Sequence, residues 1–149
     1  MEQNCSCNQN PRPGVITDFG PQPYVTDVNA AARGNPFFRT ALWTGSHLQL
    51  TLMSIPAGGE IGVEIHPDTD QYIRVEAGMG LVKMGRCENQ LTAQRQIWQN
   101  DAIFVPAGQW HNIVNVGVCP LKLSSVYAPP HHPHGTVHRT KEEAEAAEH

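Results

Sequence analysis

The chain has 149 residues, 40% of them hydrophobic and 16% charged, with a formal net charge of −4. That size suits one domain with a real core, and the lack of a basic block argues against nucleic acid or an anionic membrane as partner. No apolar run approaches a membrane span and the first residues lack the apolar stretch of a secretion signal, so a cytoplasmic location is the default expectation.

Residues 1–20 are rich in Asn, Gln, Pro and Gly and read as a loosely held arm. The four cysteines, Cys5, Cys7, Cys87 and Cys119, are expected to be reduced in a cytosol. Cys5 and Cys7 have no second pair at finger spacing and read as part of a polar tail. Strands are expected over 24–28, 37–43 and 47–55, with a turn at Thr44-Gly45-Ser46 between the last two. Leu48, Leu50 and Leu52 alternate with Gln49, Thr51 and Met53, the period of a strand with one buried face.

Next, Ile61, Val63 and Ile65 alternate with Gly62, Glu64 and His66. On a strand, Glu64 and His66 share a face, about 6.6 Å apart. Pro67 stops that strand because it lacks the ladder donor. Asp68-Thr69-Asp70 is a turn, and a returning strand over 71–76 brings Gln71 back beside Glu64 and His66. Further short strands follow over 81–84 and 94–99, separated by a loop. Residues 102–105 form another strand, Pro106-Ala107-Gly108 a turn, and 110–116 a strand with His111, Ile113 and Asn115 on one face. Residues 121–128 make the last strand. Turns every ~8–12 residues, with 12 Pro and 13 Gly, are the pattern of a barrel or sandwich.

Beyond Pro129-Pro130 come His131, His132, His134 and His138. They admit a second metal site, but they lack the alternation that would aim the rings together, so they read as a surface tail laid over the barrel. Thr140-Lys141-Glu142-Glu143 is a capping-box sequence. It predicts a short helix over 141–147, whose acidic, Ala-rich face has little to bury and should fray.

The two polar clusters resemble the two motifs of the cupin superfamily. The first family motif, Gly, five residues, His-x-His, three or four residues, Glu, six residues, Gly, is met by Gly58, Glu64, His66, Gln71 and Gly78. The second, Gly, five residues, Pro-x-Gly, two residues, His, three residues, Asn, is met by Asn100, Pro106, Gly108, His111 and Asn115. The departures are Glu64 for the first His, Gln71 for the Glu, and Asn100 for a Gly. The resemblance implies an all-β, double-stranded β-helix (jelly-roll) barrel over 21–130, preceded by an arm at 1–20 and followed by a His-rich tail and short helix at 131–149. It also implies one divalent transition metal (Zn, Fe, Mn or Ni) held by Glu64, His66, Gln71 and His111. All four can ligate through N or O, and Glu64 keeps the single negative charge of the family set. The plain alternative is a solvated strand face with a satisfied, half-buried His111.

Fold alone does not choose the function, and the leading expectation is a sugar or sugar-phosphate isomerase. A metal-dependent mannose-6-phosphate isomerase type within the superfamily resembles this site, with its Gln and Glu positions exchanged. No base for such a reaction stands out, and Lys83 and Glu76 are candidates without support. Alternatively, His66, His111 and Glu64 form the two-His-one-carboxylate set of a non-haem dioxygenase. A third reading is a non-catalytic small-molecule-binding module. Small cupins resembling this chain are often homodimers sharing an N-terminal strand, so 24–28 is a candidate to cross to a partner. A small-molecule substrate and no nucleic acid complete the expectation.

Overall fold

The computed structural model describes residues 18–147. In chain order the elements are α1 (Val28–Gly34), β1 (Arg39–Thr44), β2 (Gln49–Ile55), β3 (Asp70–Ala77), β4 (Met79–Gly85), β5 (Ala93–Trp98), β6 (Ala102–Val105), β7 (Trp110–Asn115), β8 (Leu121–Ala128), β9 (Val137–His138) and α2 (Lys141–Ala147). Two antiparallel sheets face each other as the jelly-roll barrel. One has the order β6-β3-β8-β2-β1-β9 and the other β5-β4-β7.

The register sorts the interior into layers. At the closed end Ile55, Ile97, Ile113 and Leu121 are buried, and Met53, Val75 and Leu123 lie above them. Thr51 opposes Ser125, which opposes Ile73. At the mouth Gln49 opposes Tyr127, which opposes Gln71. Apolar burial therefore holds one end of the barrel together, while the other end is lined with polar groups.

The alternation in β2 was expected to bury one face, but both faces are buried. Gln49, Thr51, Met53 and Ile55 line the barrel, while Leu50 and Leu52 join Leu42, Ala31, Ala32 and Val28 in a second cluster under α1. That helix replaces the strand expected over 24–28. Asp27 caps it by accepting from the Ala30 N–H at 3.0 Å, and three alanines carry it. No strand from 24–28 is therefore present to cross to a partner.

The strand expected over 61–66 is also absent as a regular element. The segment meets β7 through the isolated bridges Glu60–Val114 and Glu64–His111 and the Ile61 N–H to Ile113 carbonyl bond at 2.9 Å. Gly62 takes φ of +101° and donates its N–H to Asn112 Oδ1 at 2.9 Å, which breaks the period. Residues 18–20, assigned to a loose arm, are tied down: the Phe19 N–H donates to the Leu42 carbonyl at 2.9 Å, and Asp18 accepts from the Thr44 hydroxyl at 2.6 Å. Residues 1–17 lie outside the described residues.

At the other end α2 begins at the expected position, with Glu143 N–H donating to Thr140 Oγ1 at 3.2 Å. The Glu143 carboxylate reaches the Arg139 N–H at 2.6 Å, one residue earlier than the capping-box pattern. Nor is the helix face idle, because Ala144 is buried in the main core. Cys87 is free and exposed, whereas Cys119 is disulfide-bonded. The expectation of four reduced thiols therefore fails at Cys119; it came from an assumed compartment and not from geometry. Cys5 and Cys7 lie outside the described residues. Among the described residues no helix is long and apolar enough to cross a membrane.

Candidate metal centre

Three side chains converge at the polar mouth. Glu64 Oε1 lies 3.4 Å from His66 Nε2 and 3.4 Å from His111 Nε2. One donor atom from each falls within 4.8 Å of the others. Around an ion with ~2.1 Å bonds, neighbouring ligand atoms stand about 3.0–3.4 Å apart, so the spacing fits a metal. Glu64 and His66 come from the irregular segment before Pro67, while His111 comes from β7. The backbone pairing of Glu64 with His111, with N–H to carbonyl distances of 3.0 Å in both directions, locks the two segments together.

The donor atoms suit an ion. His66 and His111 are 5% and 1% exposed, yet both ring nitrogens of His66 and Nε2 of His111 have no hydrogen-bond partner. Buried polar atoms are rarely left so. His111 Nδ1 lies 2.9 Å from the Gln109 carbonyl. A carbonyl only accepts, so the proton sits on Nδ1 and the Nε2 lone pair is turned toward Glu64. Burial alone would raise the Glu64 carboxyl, but the two imidazoles 3.4 Å away outweigh it and hold the group well below the usual carboxylate range. It is therefore a carboxylate at neutral pH.

Gln71 is buried in the same mouth. Its Nε2 donates to Ser125 Oγ at 2.8 Å, and its Oε1 has no partner. Asn100, where the motif has Gly, adopts φ of +77°, a left-handed conformation that Asn tolerates better than other side chains. Asn115 works in the backbone: its Nδ2 donates to the carbonyls of Ile55 and Cys119 at 2.9 and 2.8 Å. Neither base candidate reaches the mouth. Glu76 lies on the outer face beneath α1, bound by Asn29, Arg74 and Ser124. Lys83 opposes Asn112 on the outer face of β4, beside a surface groove.

The His-rich segment is not a detached tail. The His131 ring packs edge-on against His66 at 4.2 Å, and His132 packs against Tyr127 at 5.2 Å and His131 at 4.7 Å. The rings come together because Gln49 holds their backbone. Its Oε1 accepts from the N–H groups of His131 and His132 at 3.1 and 2.9 Å, and its Nε2 donates to the His132 carbonyl at 2.8 Å. His134 points elsewhere, with Nε2 at 2.8 Å from the Gly20 carbonyl, and His138 sits on β9.

Arg39 was missed by sequence reasoning. It is 2% exposed inside the barrel; the only available signal was a cation amid an apolar strand.

A family model described as "Cupin domain" matches residues 51–127, more than half of the chain. The protein YrkC of Bacillus subtilis (strain 168) is 55% identical over 134 residues, covering 90% of this chain and 72% of that protein. The protein L612 of Acanthamoeba polyphaga mimivirus is 37% identical over 117 residues, covering 78% of this chain and 71% of that one. Among solved structures, BH2720 from Bacillus halodurans superposes with a TM-score of 0.87 at 55% identity, covering 88% of this chain and 99% of that chain.

Proposed function

The chain belongs to the cupin domain family, and from that premise we propose that it is a metal-dependent enzyme of the non-haem dioxygenase type, acting on a small molecule at the barrel mouth. The observation that carries this reading is the convergence of Glu64, His66 and His111 as two imidazoles and one carboxylate. Glu64, His66 and His111 would hold a divalent transition ion, which would supply Lewis-acid chemistry, with redox chemistry if it is iron.

The chain's own residues do the rest. Gln109 fixes the His111 tautomer. Burial holds the Tyr127 hydroxyl above the usual phenol range, so it stays a proton donor near the substrate. The 131–132 segment, clamped by Gln49, sets the His131 ring against His66. An isomerase would need a base beside the substrate carbons, and Glu76 and Lys83 both lie on outer faces.

One observation favours a second reading. Gln71 Oε1 is buried without a partner, which suits a fourth donor and the four-ligand set of a sugar or sugar-phosphate isomerase. Loading metal-free protein with Fe(II) and following oxygen uptake with candidate substrates tests the first reading. Turnover of a hydroxycarbonyl sugar under anaerobic conditions, with no oxygen uptake in air, would replace it by the second. Metal binding with neither activity would leave a binding module.

A further inference from the structure

Arg39 enters the barrel from β1, opposite Met53 on β2 and His138 on β9. Its Nη1 lies 3.2 Å from His138 Nδ1. Arg has no acceptor, so it donates and His138 accepts as the neutral tautomer. The guanidinium also lies over the Phe38 ring at 5.3 Å. No carboxylate of the described residues forms an ion pair with it, and its Nε has no partner although the atom is buried. A buried cation without a counter-charge is costly.

The orphaned atoms around it form a set. Thr51 Oγ1, Tyr127 Oη and His132 Nε2 are also buried without a well-formed hydrogen bond, and the Thr51 and Ser125 hydroxyls lie close enough to Tyr127 to act on its ionisation. Thr51 and Tyr127 sit one layer apart on the neighbouring, paired strands β2 and β8, with the Arg39 layer directly below Thr51. The guanidinium meets His138, whose ring lies 6.3 Å from His132; His132 packs on Tyr127 at 5.2 Å, and Tyr127 meets His66 at 5.6 Å, so one run of polar rings joins Arg39 to the candidate metal centre. With a divalent ion at Glu64, this polar interior would carry excess positive charge.

We propose that Arg39, with the hydroxyls of Thr51 and Tyr127, is an anion subsite that binds a carboxylate of the substrate beside the metal. This rests on the proposed function and narrows its substrate to small organic acids. A planar carboxylate matches the guanidinium fork, and the neutral hydroxyls complete its remaining lone pairs. Arg39 is a binding residue in this scheme, and no proton or electron moves through it.

The test uses the full chain, stripped of metal with chelator and, separately, reloaded. Sodium acetate and sodium succinate are titrated against it at constant ionic strength, with sodium chloride and acetamide as controls, and affinity is read by calorimetry and by the rise in Tm. The carboxylates should bind the metal-free protein, where a metal cannot account for the binding. Arg39→Met should weaken that binding about tenfold or more, the scale of a lost charged hydrogen bond, and Arg39→Lys should restore part of it. Tyr127→Phe, which removes one oxygen and leaves the fold intact, should weaken it several-fold. Metal content should be unchanged in all three variants. No binding by the wild type, an equal response to acetamide, or undiminished binding in both Arg39→Met and Tyr127→Phe would overturn the subsite. Failure of the metal reading is distinguishable, since it appears as full metal retention in His66→Ala and His111→Ala.

Discussion

The rings of His66 and His131 meet edge-on with centroids 4.2 Å apart, one just before Pro67 and the other beyond β8. The chemistry at the mouth therefore draws on both ends of the barrel sequence. Only His66 of this pair belongs to the convergent donor set.

Removing either imidazole donor should empty the centre. His66→Ala and His111→Ala should each lose most bound metal by elemental analysis while keeping a β-rich circular dichroism spectrum. Full occupancy in both variants means that the ion binds elsewhere.

Gln71 and Glu64 differ by charge at one mouth. Gln71→Glu adds a second carboxylate next to the ion, and opposite charges in a poorly solvated site attract strongly, so metal should bind more tightly. Glu64→Gln removes the only carboxylate of the three-residue set and should weaken binding by at least roughly 10–100-fold, the scale of an outer-ligand change. Chelator competition measures both. An unaltered affinity in Gln71→Glu, with a weakened one in Glu64→Gln, confines the ion to three protein ligands.

Gln49 is fully buried, and it holds the 131–132 segment through three hydrogen bonds and Thr44 through a fourth. Gln49→Ala strips partners from buried backbone groups and should cost about 2–3 kcal/mol, read from urea unfolding. A variant as stable as the wild type would show that water replaces these bonds without loss.

Acid should destabilise the protein through His132. Burial, with the Arg39 charge and His131 adding, pushes this imidazole down to about 2, against about 6.5 when unfolded. The unfolded chain then binds more protons between those values, so stability is intact above pH 6.5 and falls as pH drops below it. Unfolding free energy measured from pH 7 to pH 5 should decline in the wild type and decline less in His132→Gln. Equal slopes would mean that His132 already takes its proton in the folded state.

Much of the barrel is legible in the sequence because its signals are local. Pro67, Pro106 and Gly108 punctuate strands, and the spacing of Glu64, His66 and His111 carries the donor set through any fold that keeps the motif register. The missed parts depend on distant partners. Arg39 draws no notice in the sequence, because its surroundings, His138 and Phe38, are set by the fold. The direction of the Leu50–Leu52 face depends on α1, whose seven residues give a weak periodic signal. The 131–132 segment reads as a tail because nothing in its own sequence announces Gln49. Asn100 is a different case: the motif position asks for a left-handed backbone, and the chain meets that need with Asn instead of Gly.

The pairing of β9 with β1 also bears on self-association. The outer edge of β1 receives Arg39–His138 and Thr40–Val137 pairing, and the Ala41 N–H and the Leu42 carbonyl are taken by Thr136 and Phe19. A sheet edge so occupied offers no template for an intruding strand. The opposite edge, β6, ends the sheet with Phe104 71% exposed beside Tyr72. Cleavage of the chain after Gly135 would uncover the β1 edge while leaving the metal donors in place, and would turn a sealed border into a site for aggregation or strand exchange between molecules.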